Sequence, residues 1–309
     1  MNYTDAITGK NIVKKYKNFT LNQPQLHIPK GFTTALVGEN GAGKSTLLNI
    51  LSGVRLDYEG DITYFEGSES MKTEQVKERI GFTAPNDYFF SNWTIEQICQ
   101  MYDVLYDNFH VQRFKDLIRE LEIPVAFGRE KTKRRGLFDR RKGSKQVNQL
   151  SDGNRIKLQL AGVLARDTDL LIMDEPASPL DPLMRDVLCD KIRSYMEEGD
   201  GERSVLLSTH NITDMENVTD YVCIMEQGSI IEQGFVPDLK EKYILVKGDA
   251  EQIPAVSGRL FDMTKNSYGF EGILLADHSE EVAGLGLSME TPSLSQICVA
   301  VMRNYRKSR

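Results

Sequence analysis

Short apolar runs bounded by turn residues recur along the chain, separated by segments whose apolar positions repeat at helical spacing. The strand signals fall at Gly31–Val37, Gly60–Phe65, Asp169–Met173, Ser204–Ser208 and Tyr221–Met225, and the helical stretches at Thr46–Leu51, Thr94–Leu105, Gly153–Ala165 and Leu183–Met196. Such interleaving predicts an α/β core. Helix starts are readable: Thr94 with Gln97 three residues on forms a capping box, and Asp181-Pro182 is an N-cap followed by proline at the first helical position. After Met225, the segment 227–234 reads as a hairpin partner and Pro237 as a boundary. From about Lys240 the chain reads as a small appended domain, with a strand at Tyr243–Val246 and a helix at Leu294–Met302 packed on its own domain.

The most informative stretch is Gly38-Glu39-Asn40-Gly41-Ala42-Gly43-Lys44-Ser45-Thr46, which fits G-x-x-x-x-G-K-[ST] between the apolar strand 34–37 and the helical run 46–51. The glycines let the backbone curl so that N–H groups and a helix N-terminus face phosphates, where aligned peptide dipoles favour negative charge. Asn40, Gly41, Gly43, Lys44, Ser45 and Thr46 are therefore candidate nucleotide-binding residues. Lys44 is placed to reach the β- and γ-phosphates and the Ser45 hydroxyl to ligate Mg²⁺.

At 309 residues the chain is long enough for one large domain and a smaller unit. No apolar run approaches the ~20 residues a membrane span needs, and Met1–Asp5 lacks the basic-then-apolar character of a signal peptide, so any service to a membrane is expected to run through a partner. Cys99, Cys189, Cys223 and Cys298 show neither metal-ligand spacing nor a disulfide framework and read as buried core thiols. The net charge of −7 argues against nucleic acid as the partner of the whole chain.

Further features follow the cradle in a set order. An apolar strand, Leu170-Leu171-Ile172-Met173, ends in the adjacent carboxylates Asp174 and Glu175, a poor design for a buried strand unless cations or water wait at its end. His210 closes the run Ser204–Thr209, where α/β sheets place ligand sites. With Leu150-Ser151-Asp152-Gly153-Asn154 and Ser178-Pro179-Leu180-Asp181, this order resembles the ATP-binding subunit of ABC transporters from about Ile12 to Gly234. The stretches correspond to Walker A at 38–46, the signature at 150–154, Walker B at 170–174, the D-loop at 178–181 and the switch histidine.

The resemblance implies an ABC-type P-loop ATPase core over residues 1–239, with an antiparallel β subdomain and an α-helical subdomain at about 85–165, plus a small α+β extension at 240–309. It implies ATP and Mg²⁺ as ligands, with Ser45 and Asp174 holding the metal. Glu175 would orient the attacking water, His210 would contact the γ-phosphate, and Lys44 completes the catalytic set. Ser151 and Gly153 would complete the ATP site of a second subunit, in a homodimer or heterodimer, and Asp181 of the D-loop is a further nucleotide-binding candidate. Tyr16, expected in an N-terminal strand, falls where the family sets an aromatic ring against adenine.

The chain departs from the family in places. Asp152 and Asn154 replace a glycine and a glutamine of the commonest signature. The glutamine expected after the strand near residue 80 is missing; a gapless reading sets Pro85 there, with Asn86 or Asp87 as substitutes, and proline has no side-chain acceptor for a metal. The aromatic stretch 88–93 suits either a partner's docking groove or packing beneath a helix. The basic stretch 129–145 suits a solvated loop, anionic lipid or an acidic partner loop. The C-terminal extension looks like that of ABC-2 type exporters, which implies an ABC-2 type transmembrane subunit as partner, no nucleic acid, and a peripheral place on the cytoplasmic face of the plasma membrane. The rival readings are a soluble ABC ATPase acting on nucleic acid or ribosomes, and a nucleotide-binding regulator with little hydrolysis.

Overall fold

The computed structural model describes residues 4–65, 74–85, 89–124 and 146–308. Strands β1 (Asp5–Lys15), β2 (Thr20–Pro29), β3 (Thr33–Val37) and β4 (Glu59–Tyr64) frame the first helix, α1 (Lys44–Leu51). Then follow α2 (Glu74–Glu78), β5 (Ile80–Thr83), α3 (Ile95–Leu105), α4 (Val111–Glu120), α5 (Asp152–Leu164), β6 (Leu170–Met173), α6 (Pro182–Glu198), β7 (Ser204–Thr209), β8 (Tyr221–Glu226) and β9 (Ser229–Phe235). The predicted strands and helices are present, including the capping box at Thr94 and the Asp181 N-cap, whose carboxylate accepts from the Met184 N–H at 3.1 Å.

Strands β5-β6-β7-β3-β8-β9 form a six-stranded sheet, parallel except for the β8–β9 hairpin. Strands β6, β7, β3 and β8 are buried on both faces, which is why they are mostly apolar, whereas β9 at the edge is half-buried. The side-chain alternation then divides them between two cores. Ala35, Val37, Leu171, Met173, Val205, Leu207, Val222 and Ile224 face the helices α3, α4, α5 and α6. Leu36, Leu170, Ile172, Leu206, Cys223 and Met225 face α1 and the antiparallel sheet β2-β1-β4. Helix α1 is thus clamped between two sheets by Leu47, Leu48, Ile50 and Leu51, each shielded from water. At ~1.5–3 kcal/mol for each large apolar side chain, that clamp fixes the loop preceding the helix.

Pro237 does not end the fold. It sits in the first turn of α7 (Val236–Lys242), where its missing N–H costs nothing, and the helix runs across residues 239 and 240. Beyond it lie β10 (Tyr243–Asp249), α8 (Ile253–Val256), β11 (Asp262–Lys265), β12 (Gly269–Leu275), β13 (Ser288–Glu290) and α9 (Leu294–Lys307), the strands forming an antiparallel sheet in the order β11-β12-β10-β13. Helix α9 corrects the expectation that it packs on its own domain alone. Its buried Leu294, Ile297, Cys298, Ala300 and Val301 belong to the helix-side core together with Ile212, Met215, Val222 and Ile224. The apolar face was visible in the sequence; which of two neighbours it would cover was not.

The four cysteines are free and buried. Burial pushes the Cys223 and Cys298 thiols up to about 12 and raises Cys99 and Cys189 as well. Since the thiolate is the reactive form, a chromogenic disulfide reagent at about pH 8 is expected to titrate essentially no thiol in the native protein and all four in guanidinium. Rapid native labelling of Cys223 would contradict its place in the sheet.

Candidate functional site

The loop after β3 is shaped by what its glycines touch. A side chain at Gly38 would meet the Met225 carbonyl oxygen at 2.4 Å, and one at Gly43, which has φ 106°, would meet the Phe19 ring at 2.6 Å. Gly41 has open space around it but adopts φ 87°, a conformation side chains resist. The Ala42 N–H donates to the Glu39 carbonyl at 3.1 Å, and the Gly228 N–H donates to the Ala42 carbonyl at 2.9 Å, fastening the loop to the β8–β9 turn. Helix α1 starts with no side-chain cap and no acidic residue in its first turn. Its leading N–H groups therefore carry no carboxylate cap among the described residues, an end that suits an anion.

Lys44 bends back over this loop, only 5% exposed, and donates to the Gly38 carbonyl at 2.7 Å and the Glu39 carbonyl at 3.2 Å. Its Nζ lies 3.2 Å from Glu175 Oε1, an ion-pair contact across the sheet. Glu175 Oε2 is 2.8 Å from His210 Nδ1. Lys44, Glu175 and His210, read separately from the sequence, thus form one continuous polar line. Asp174 and Glu175 lie at the end of β6, and His210 just past β7, so the β3–β6–β7 part of the sheet brings all three to one edge.

Ser208 is the residue that sequence reasoning missed. Fully buried, its hydroxyl donates to Asp174 Oδ1 at 2.6 Å and accepts from the Glu175 N–H at 2.9 Å. Glu175 has φ 48°, a left-handed conformation uncommon for a side-chain-bearing residue. The Ser208 bond helps hold that conformation and links it to the Asp174 carboxylate. As the last small residue of an apolar strand run, Ser208 carried no signal of its role. The Asp174 N–H is held by the Thr83 carbonyl at 2.9 Å, so β5 also positions the pair.

Oxygen donors suited to a hard cation are present: the buried Asp174 carboxylate, the exposed Ser45 hydroxyl and the buried Glu175 Oε1, whose near partner is the Lys44 ammonium. These fit Mg²⁺. Among the described residues no cluster of three or more His, Cys, Asp or Glu forms a metal site on its own, as expected where water and phosphate oxygens supply most ligands. Thr46 is half-buried behind Ser45, while Asn40 is exposed at the loop tip.

Tyr16 lies just past β1, in the turn before β2 and not in the strand itself. It is 40% exposed, with Lys14 and Arg55 5.6 and 5.7 Å from its ring and Phe19 at 6.1 Å between it and the loop. Ser151 and Asp181 form a second group. Ser151 caps α5, accepting from the Asn154 N–H at 3.3 Å, and a side chain at Gly153 would meet the Pro179 carbonyl at 3.1 Å. No hydrogen bond or ion pair among the described residues joins this group to Lys44.

Pro85 sits exposed in the bend after β5, and Asn86 and Asp87 lie outside the described residues, as do Tyr88 and the basic stretch 129–145. Of the aromatic stretch, Phe89 is buried, Trp93 is partly buried beside Phe90, and Phe90 is 67% exposed. Phe89 helps line a cleft of about 650 Å³ with Val54, Phe82, Met101 and Leu105.

A family model described as ABC transporter matches residues 21–178. The chain belongs to the ABC transporter family. It is 31% identical over 240 residues to ABC transporter A family member 11 of Dictyostelium discoideum, covering 78% of this chain but only 26% of that protein. It is 29% identical over 244 residues to Nod factor export ATP-binding protein I of Rhizobium leguminosarum bv. viciae, covering 77% of this chain and 72% of that one. The homologue of the same name from Cupriavidus pinatubonensis is 25% identical over 268 residues, with 85% and 78% covered. Among solved structures, an ATP-binding subunit of an ABC transporter has a TM-score of 0.62 at 21% identity, covering 76% of this chain and 92% of that one. A dimeric ATP-binding cassette bound to ADP and Pi has a TM-score of 0.59 at 21% identity, covering 74% and 98%. These likenesses bear out the expected fold class.

Removing the Ser208 hydroxyl leaves a buried carboxylate oxygen and a buried N–H without their partner, at a cost of about 1–3 kcal/mol. Ser208→Ala is therefore expected to lower the urea midpoint by a corresponding amount with an unchanged slope. A midpoint equal to the parent's would mean that Ser208 orients neither Asp174 nor Glu175.

Proposed function

We propose that this chain is the ATP-binding and ATP-hydrolysing subunit of an ABC-2 type exporter. The observation that carries the reading is the line Lys44–Glu175–His210 beside an uncapped helix N-terminus. Hydrolysis of a phosphoanhydride demands charge stabilisation and a positioned water more than covalent chemistry. Lys44 and the α1 N–H groups neutralise the phosphates. Ser45 and Asp174 would hold Mg²⁺, which when bound would supply positive charge against the phosphates. Glu175, aimed by His210 and by the Ser208 bond to its N–H, orients the water and accepts its proton. His210 reaches the γ-phosphate from β7. Tyr16 stacks on adenine, sequence-tolerantly and from an exposed position.

Ser151, Gly153 and Asp181 serve the site of a second subunit, which is why they sit apart from Lys44. Two copies, or this chain and a second ATP-binding subunit, close head-to-tail around two ATP. The transmembrane partner docks on the cleft beside Phe89 and the exposed Phe90, where apolar surface is open to solvent. Among the described residues no helix is long and apolar enough to cross a membrane, so translocation falls to that partner. Export is supported by the Nod factor export proteins among the homologues.

Glu175→Gln keeps the loop, Lys44 and Asp174 and removes the proton acceptor. It is expected to bind ATP like the parent while turnover falls by about 10²-fold or more, and to accumulate an ATP-bound dimer on size exclusion. Parent-like steady-state hydrolysis would remove Glu175 from the mechanism, and a strictly monomeric mutant with ATP and Mg²⁺ would remove the two-chain site. Co-purification with an integral membrane protein supports the transport reading; stimulation of hydrolysis by RNA or DNA supports the soluble alternative.

A further inference from the structure

The C-terminal helix α9 reaches the phosphate loop. The Arg306 guanidinium in its last turn donates from Nε to Glu226 Oε1 at 3.0 Å and from one terminal nitrogen to both Glu226 oxygens at 2.9 and 3.0 Å. The same nitrogen lies 2.8 Å from Glu39 Oε2, the residue after Gly38 in the loop. The neighbouring Lys307 and Arg303 lie 2.6 and 3.5 Å from Asp262 on β11. One helix turn therefore joins the extension's sheet, the end of β8 and the nucleotide loop.

We propose that Arg306 is a positioning residue for nucleotide binding, acting from the C-terminal extension through Glu39. The inference rests on the nucleotide-binding reading above. Glu39 places a carboxylate in a loop built to receive phosphate oxygens, and Glu226 places a second, almost fully buried, against the loop's outer side. Left uncompensated, both repel a polyanion, Glu226 from a nearly buried position and Glu39 from an exposed one where salt screens its charge. Arg306 is shared between the two, offsets one of their two negative charges and draws the Glu39 side chain toward α9. It also holds Glu39's carboxyl below the usual carboxylate range. The Glu39 carbonyl is one of the two acceptors that fix Lys44, so the clasp bears on the cation that meets the phosphates. The loop lies against Met225 and Gly228 on the same side, so Glu226 is continuous with its support. A displacement of the extension would be transmitted to the loop through this single side chain.

The test is a Mg-ATP titration, read with a fluorescent ATP analogue, on the parent, Arg306→Gln, Glu39→Gln and the double variant. Arg306→Gln is expected to raise Kd roughly fivefold, with the defect shrinking as salt is raised. Adding Glu39→Gln is expected to bring Kd back to within about twofold of the parent, the order expected once the carboxylate nearest the phosphates is neutral. A parent-like Kd for Arg306→Gln, or a double variant as weak as Arg306→Gln, overturns the proposal and leaves Arg306 as a fastening for α9. Should Arg306→Gln fail to fold, Arg306→Lys keeps a cation on Glu226 without the fork to Glu39, and the same relief by Glu39→Gln is required. Lys44→Ala separates the two readings: if the parent and Lys44→Ala bind alike, the nucleotide site itself is wrong.

Discussion

A buried lysine organises this molecule. Lys44 has its ammonium out of water, and a charge in that position is tolerated only with close partners. Two of them are carbonyls of the loop it belongs to, and the third is Glu175, more than a hundred residues away in sequence. Satisfying Lys44 therefore requires that β3 and β6 end at the same edge of one parallel sheet with β7 between them. Glu175 in turn needs its N–H tied to Ser208 and its far oxygen to His210, both supplied by β7 and its exit. Each strand of this triplet thus contributes one polar group that the other two need. In the proposed reaction the Lys44 ammonium that pairs with Glu175 would turn to a phosphate, which would free that carboxylate to meet water.

How much of this was legible in the sequence follows from which residues had to be special. The loop was legible because close approach to Met225 and Phe19 and two positive φ angles demand glycine at fixed spacing. Asp174 and Glu175 stood out because carboxylates at the end of an apolar strand need a reason. The sheet's two-sided burial was visible as unbroken apolar runs. Ser208 was not legible, since a serine in a strand is ordinary and its importance lies in a residue thirty-odd positions upstream. The same holds for Glu39 and Arg306: each is an unremarkable surface charge until α9 is packed, and Arg306 lies beyond the helix expected at Leu294–Met302.

The extension shows why apolar periodicity gives an element but not its neighbour. The α9 stripe is amphipathic, and any core of suitable shape could cover it. What selects the ATPase core is a combination of Glu226, buried and in need of a cation, and Glu216, which accepts from the Leu294 N–H at 3.3 Å and pairs with Lys240 at 3.1 Å. Both ends of α9 are therefore pinned by carboxylates of the core. Pairing of this kind specifies register more than it adds stability, because much of the Coulombic gain is offset by desolvation.

The separation of Ser151, Gly153 and Asp181 from Lys44 is itself a constraint on how the protein works. The N-terminus of α5 offers a second set of leading N–H groups, and Ser151 satisfies only the Asn154 N–H among them. Gly153 leaves room for the Pro179 carbonyl, which a side chain there would crowd, so this helix start lies beside the loop that follows Glu175. In the proposed two-chain arrangement, nucleotide held at one chain's α1 meets the other chain's α5. Any shift of the signature on closing is then felt at that second chain's own Glu175 through the same short loop. The coupling between two sites that such an enzyme requires can thus be carried by a few residues of backbone, with no need for a long path through the core.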